Sequence, residues 1–315
     1  MASAQLAVAV PGRERTSAAP AGSRKGRRRR RWIGLVYLAP GLALYTWIVL
    51  VPLGQSFVYS LYQWDGVSAP VPVGVDNYTA FFSDPELVAA LRHVVVLVFF
   101  FALLPIALGL TSAAILSRRR LRGQSAYRWV LFLPQVITSV VIAVVWKRIL
   151  APAGPLNEAL RAVGLDSMAK SWLGDTAWAL PSLGLIGAWV TFGFCMVLFI
   201  AGAQSIPTEL YEAARVDGAG PAREFFSIML PALRPQLAVA LTLTVTAALR
   251  TFDLVWLTTQ GGPGSSTLTP AVLLYRRAFQ NPDVGAAAAI GVVMAVFCLV
   301  VAVLIQRISE RGETP

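Results

Sequence analysis

Six apolar stretches of 18 residues or more alternate with short polar segments along the chain, at about 33–56, 93–116, 129–146, 180–203, 237–257 and 285–305. A run of ~20 mostly apolar residues is enough to cross a bilayer. In lipid only helices and closed barrels satisfy their own backbone hydrogen bonds, and these runs are helix-length with no period-two alternation. The pattern therefore predicts an all-α polytopic membrane protein with six transmembrane helices. It divides the chain into a basic tail over 1–31, a membrane domain over 32–306 and a short tail over 307–315. Residues 1–23, rich in Ala, Ser, Gly and Pro and without an apolar period, are expected to be disordered. The first span exceeds a signal-peptide core of ~7–15 residues, and no convincing small-x-small cleavage site follows it.

Composition agrees: 56% of the 315 residues are hydrophobic and 14% charged, with a mean hydropathy of +0.64. A net charge of +11 would suggest nucleic acid in a soluble protein, but here its distribution points to membrane topology instead. With the N-terminus inside, nineteen of the 27 Lys and Arg fall in cytoplasmic segments, seven in outer loops, and Arg250 within a span. This positive-inside bias puts both termini and the 207–235 loop in the cytoplasm. The run RKGRRRRR at 24–31 reads as an orientation anchor.

The most informative polar segment is 207–235, PTELYEAARVDGAGPAREFFSIMLPALRP. Pro207 is suited to open a helix, and Glu209 and Glu212 lie where the helix dipole favours negative charge. Ala213 and Ala214 let another surface approach the backbone around Glu212 and Arg215. Asp217-Gly218 is a turn signal, and a second short amphipathic helix follows through Phe225, Phe226 and Ile228 to Leu230-Pro231. On these grounds alone the segment is either a docking surface or an ordinary charged loop.

Glu212-Ala213-Ala214, three residues, Gly218, nine residues, and Ile228-x-Leu230-Pro231 resemble the signature loop of binding-protein-dependent ABC importer permeases. The resemblance implies a cytoplasmic coupling helix that docks in a cleft of an ATPase subunit. Glu212, Ala213, Ala214, Arg215, Asp217, Gly218, Ile228, Leu230 and Pro231 would then carry the coupling. It further implies two ABC ATPase subunits that bind ATP and Mg, a second homologous permease, an extracellular solute-binding protein and a bacterial plasma membrane. LAPGLALY, VGVDNYTAFFSDP, FLPQVITSVVIAVVWKRIL, WLGD at 172–175 and FDLVWLTTQGGPGSST at 252–267 extend the likeness from about 32 to 306, toward the sugar-importing branch. That branch implies a carbohydrate substrate, a di- or oligosaccharide. Arg92-His93 departs from the Asn-Thr that family members often carry at the start of the second span.

No GxxxxGK[ST] loop, GxSxG, HExxH or catalytic carboxylate pair is present, so no catalytic residue, cofactor site or metal site is expected in this chain, and any ATP hydrolysis belongs to another subunit. Cys195 and Cys298 fall in spans as small apolar side chains, and His93 opens the second span without ligand-type neighbours. A rival from another class, an ion-coupled carrier, needs ionisable groups at membrane depth. The candidates are Arg250 and Asp253, three apart on the predicted fifth helix and so on one face, either a mutually neutralising pair or part of the pathway or outer gate. Gly261, Gly262 and Pro263 form an outer turn, which is either plain or part of the gate and binding-protein interface. Trp189, beside Thr191 and Phe192, is a candidate pathway residue or a packing residue. Within the same class, glycerol phosphate or another small solute is the alternative substrate.

Overall fold

The computed structural model describes residues 37–116 and 123–310. The tail over 1–31 and its cation run, the cations at 118–122, and residues 311–315 lie outside the described residues. The chain divides into two compact units, Met1–Gly54 and Gln55–Pro315. The first contains most of helix α1 (Tyr37–Tyr59), whose last turn opens the second.

In the second unit a two-stranded antiparallel ribbon, β1 (Tyr62–Gln63) and β2 (Val71–Pro72), pairs Tyr62 with Pro72 and Gln63 with Val71. Between them the Asp65 carboxylate accepts the backbone N–H groups of Val67 and Ser68, which holds its pKa below the ordinary value. Then come α2 (Asp76–Ser83), α3 (Pro85–Leu116), α4 (Gln124–Val136), α5 (Ser139–Ile149) and α6 (Pro155–Ala162). They are followed by α7 (Ala179–Gln204), α8 (Thr208–Val216), α9 (221–232), α10 (Arg234–Leu249), α11 (Asp253–Thr258), α12 (Pro270–Tyr275) and α13 (Val284–Glu310).

Two of the six predicted spans are not straight helices. The 129–146 stretch is two helices, α4 and α5, bent by 98°. Pro134 lacks the N–H that would continue the ladder, and directly after Val136 the chain becomes extended, with ψ of 136° at Ile137 and 145° at Thr138. The 237–257 stretch stops at Leu249 and restarts at Asp253. The second span also begins earlier than expected, at Pro85, so His93 lies inside α3 instead of opening it. There His93 donates through Nδ1 to the carbonyl of Leu268, at 2.9 Å.

Proline also explains the widened turns. Each π-helical turn, Thr46–Leu50, Phe99–Leu103, Phe225–Met229 and Arg276–Gln280, ends two residues before a proline: Pro52, Pro105, Pro231 and Pro282. The extra residue makes room for the ring where an N–H is missing. At Pro105 the carbonyl four residues back, on Phe101, lies 3.1 Å from Thr191 Oγ1 of α7, whose single proton it shares with the nearer Gly187 carbonyl at 2.9 Å.

Helix α7 is the most buried span and packs chiefly along α3. Lipid tails give no hydrophobic drive for helices to associate, so close van der Waals fit has to hold them, and small residues permit it. A Cβ added to Gly109 would lie 2.9 Å from Cys195 Cβ, and one added to Gly184 would meet the Phe100 ring at 2.5 Å. At Gly193 it would collide with the carbonyl oxygen of Leu131 on α4. Phe199, Met196, Ile200, Met229 and Leu233 fill one core cluster, and Leu87, Leu97, Leu183, Ile186 and Val255 fill the other.

Gly193→Ala is expected to lower stability by about 1–3 kcal/mol, because backbone must move to admit the methyl. Gly291→Ala, whose methyl would meet only Leu274 Cδ1 at 3.4 Å, should be neutral or slightly stabilising. Thermal unfolding of the two detergent-solubilised variants checks the contrast.

Candidate functional site

The two helix breaks converge on one cavity. It has a volume of about 670 Å³ and is lined by Gln135 and Ser139 from the α4–α5 bend, and by Arg250, Thr251, Phe252 and Asp253 from the α10–α11 break. Phe101 of α3, Val190 and Thr191 of α7, and Thr242, Leu243, Thr246 and Ala247 of α10 complete the wall with Leu254. Interrupted helices at membrane depth are tolerated where they line a polar cavity or are buried in protein. The break at 250–252 is satisfied locally: Thr269 Oγ1 donates to the Thr251 carbonyl at 3.0 Å, and Thr251 Oγ1 to that of Ala247 at 2.8 Å.

This geometry corrects the expected Arg250–Asp253 arrangement. Arg250 caps the C-terminus of α10 and Asp253 opens α11, so they do not share a helix face, and among the described residues no ion pair joins them. Both reach the same cavity. Trp189 packs edge-on against Trp146, with ring centroids 5.5 Å apart, and is not among the lining residues; its neighbours Val190 and Thr191 are.

Gly261, Gly262 and Pro263 lie in a compact turn, with φ of 90° at Gly261 and 52° at Gly264. Buried Thr267 ties it: its N–H reaches the Gly261 carbonyl at 3.2 Å, and its hydroxyl lies 2.7 Å from both the Gly262 carbonyl and Thr259 Oγ1. Arg276 Nη2 donates to the Gln260 carbonyl at 2.5 Å. The turn is a braced element. In the other loops, Asn157 is 1% exposed and accepts from Trp172 Nε1 at 2.9 Å, while Asp175 caps the approach to α7 through the Ala177 N–H at 2.8 Å.

The 207–235 loop is built as rigidly. Helix α8 ends in a double closure: the Gly218 N–H bonds the Arg215 carbonyl at 3.0 Å, and the Ala219 N–H bonds that of Ala214 at 2.8 Å. Gly218 sits at φ of 75°, where an L side chain is strained. Arg215 Nε donates to Glu224 Oε1 at 3.0 Å, which binds α8 to α9 across the turn; Glu224 is buried, whereas Arg215 is largely exposed. Glu209, Glu212, Ala213 and Val216 recur on one exposed face of α8, and Tyr211 and Ala214 lie on the half-buried one. From α9, Met229 is buried in the core, as is Leu233 just beyond it, while Ile228, Leu230 and Pro231 are half-buried.

Residues 105–313 match the model of the family described as "binding-protein-dependent transport system inner membrane component". The chain belongs to this permease family. The permease is 38% identical, over 96% of its length and 93% of the relative's, to the diacetylchitobiose uptake system permease protein NgcF of Streptomyces coelicolor. It is 34% identical, over 89% of its length and 97% of the relative's, to the probable ABC transporter permease protein YurN of Bacillus subtilis. In fold it matches a chain of the crystal structure of a bacterial ABC transporter involved in import of the acidic polysaccharide alginate. That match has a TM-score of 0.78 at 23% identity and covers 92% of the permease and 99% of that chain. The alginate transporter in complex with alginate pentasaccharide-bound periplasmic protein gives 0.75 at 24% identity.

Sequence reasoning missed Gln135, Ser139, Thr242 and Thr246 as cavity residues. A signal was present: Thr242, Thr246 and Arg250 recur every four residues through an apolar run.

Gly218→Val should weaken the α8 closure by about 1–2 kcal/mol through backbone strain alone, since a Cβ there meets nothing within 4 Å. Hydrogen exchange is expected to rise in α8 and the 217–220 turn and to stay unchanged in α7.

Proposed function

We propose that the permease is a membrane-spanning subunit of an ATP-driven ABC importer for a carbohydrate, a di- or oligosaccharide, in a bacterial plasma membrane, with both termini and the 207–235 loop cytoplasmic. The observation that carries this is one chain combining a braced loop with an exposed helix face and a polar cavity made by broken helices. The substrate class is supported by NgcF, named for diacetylchitobiose uptake, at 38% identity over nearly the whole chain. The positive-inside distribution supports the orientation.

On this reading ATP and Mg are held by two partner ATPase subunits, and a second, homologous permease completes the pathway. An extracellular solute-binding protein delivers the sugar to the end of the bundle bearing the 259–267 turn, so Gly261, Gly262 and Pro263 stand at the gate or at that interface. At the other end α8 seats in an ATPase cleft. Val216 is 88% exposed and Leu210 52%, and fully burying such a side chain contributes roughly 1.5–3 kcal/mol. Ala213 allows close approach and Glu212 supplies charge. Arg215 braces α8 to Glu224, and Asp217 and Gly218 form the stop. Closure of the ATPases pushes α8, and α9 passes the displacement to α7 and α10 through Ile228, Leu230 and Pro231 and the buried Met229 and Leu233. Switching needs two states within a few kcal/mol of each other, which solute and nucleotide bias.

Glu212→Lys is expected to reduce uptake to background while leaving membrane insertion intact, because the substitution reverses charge on an exposed face. Uptake of labelled diacetylchitobiose by cells expressing the complete importer, with insertion scored on the same membranes, checks it. Undiminished uptake contradicts the coupling role. Accumulation of solute by the permease without any ATPase would favour an ion-coupled carrier.

A further inference from the structure

A second cavity, of about 510 Å³, lies between α10 and α13 at the end of the bundle that carries the 207–235 loop, and it shares no residue with the polar cavity described above. Its walls are two helical stripes. Arg234, Leu237, Ala238 and Leu241 stand at i, i+3, i+4 and i+7 of α10, and Ile305, Ile308 and Ser309 stand at i, i+3 and i+4 of α13. Helices that present such stripes to each other ordinarily interdigitate. Here α10 and α13 pack together but leave an open groove over these residues. Helix association in lipid rests on van der Waals fit, and a gap left empty forfeits those contacts.

The groove is graded along its length. Arg234 is the first residue of the apolar span that opens with α10, and Ser309 is the last residue of the span formed by α13. Both therefore stand at the membrane boundary. From there Leu237, Ala238 and Leu241 run ~10 Å toward the hydrocarbon, seven residues of helix at about 1.5 Å each, with Ile305 opposite. A polar head at the boundary and an apolar trough beyond it form the profile of a phospholipid laid along the helices. The size agrees. A methylene fills about as much space as a water molecule in the liquid, ~30 Å³, so 510 Å³ is room for one acyl chain.

Charge selects among phospholipids. The Arg234 guanidinium carries five N–H donors in a planar fork that matches phosphate oxygens in pairs, and Ser309 supplies a hydroxyl beside it. Arg307, exposed in the last turn of α13, adds a second cation at the same level. The described residues that line the groove include no carboxylate. Basic pockets between transmembrane helices favour headgroups of net negative charge.

We propose that this groove binds one anionic phospholipid of the surrounding membrane, with its phosphate on Arg234 and Ser309 and one acyl chain against Leu237, Ala238, Leu241 and Ile305. The site is independent of the solute the permease carries and needs only that α10 and α13 cross the bilayer.

The test is native mass spectrometry of the complete importer, purified in mild detergent and supplied with phosphatidylglycerol or with phosphatidylcholine of the same acyl chains. The unaltered importer is expected to keep a phosphatidylglycerol adduct at collision energies that strip phosphatidylcholine. Arg234→Gln, a change to an exposed side chain, should lower the occupancy of that adduct about fivefold, the effect of one cation near a membrane surface. Ala238→Phe, which puts a ring into the apolar trough, should lower it as well. Arg223→Gln, which removes an exposed cation from the loop, should leave it unchanged. Equal retention of the two lipids, or undiminished phosphatidylglycerol on Arg234→Gln, would reduce the groove to ordinary annular lipid and overturn the site. An unaltered importer that keeps no lipid would also overturn it, with another subunit covering the groove.

Discussion

A polypeptide inside a bilayer has no water to satisfy the backbone groups it leaves unpaired, and the architecture of this permease follows from that constraint. Most of the chain meets it with long helices. Where a proline removes a donor, the helix widens by a residue, and at Pro105 a threonine from α7 stands in reach of the freed carbonyl. At two places the helix stops instead, at 137–138 and at 250–252, and both stops open onto the same cavity. The irregular backbone is thus concentrated where polar groups are useful, and the cavity collects Gln135, Ser139, Thr242, Thr246, Arg250 and Asp253 in an otherwise apolar bundle.

The same economy of contact links this cavity to the 207–235 loop. Helix α7 is the element both share: Val190 and Thr191 face the cavity, while Phe199 and Ile200 share a core cluster with Met229 and Leu233. Close-packed interiors transmit displacement because they have no slack to absorb it. The glycine contacts at 109, 184 and 193 bring α7 against its neighbours and make it a stiff connector. On the proposed reading, a push on α8 reaches the cavity along this helix and along α10, which follows directly from α9.

Much of this was legible in the sequence. Span positions followed from apolar run length, and the loop's two helices and its stop at Asp217-Gly218 followed from short-range chemistry that does not depend on tertiary context. The Arg215–Glu224 pair was not legible, because the spacing of nine residues brings two groups together only after the turn is made. Arg250 and Asp253 were placed on one helix since nothing in the run 237–257 is a helix breaker; the stop there depends on Thr269 arriving from a distant segment to hold the Thr251 carbonyl. The 98° bend after Pro134 was not legible either, since its size comes from the extended residues at 137 and 138. Trp189 was singled out for its place beside Thr191 and Phe192, and its ring packs against Trp146 while Val190 and Thr191 line the cavity.

The most direct test is whether the cavity between the two breaks is open to water and solute. In a background with Cys195 and Cys298 replaced by Ala, single cysteines at Ser139, Thr246 and Val140 would be labelled with a hydrophilic thiol reagent in the assembled importer. Val140 is exposed but lies outside the cavity. The account predicts rapid modification at 139 and 246 and little at 140. Equally slow reaction at all three would mean that the cavity is closed to the aqueous phase and that the breaks do not build a pathway.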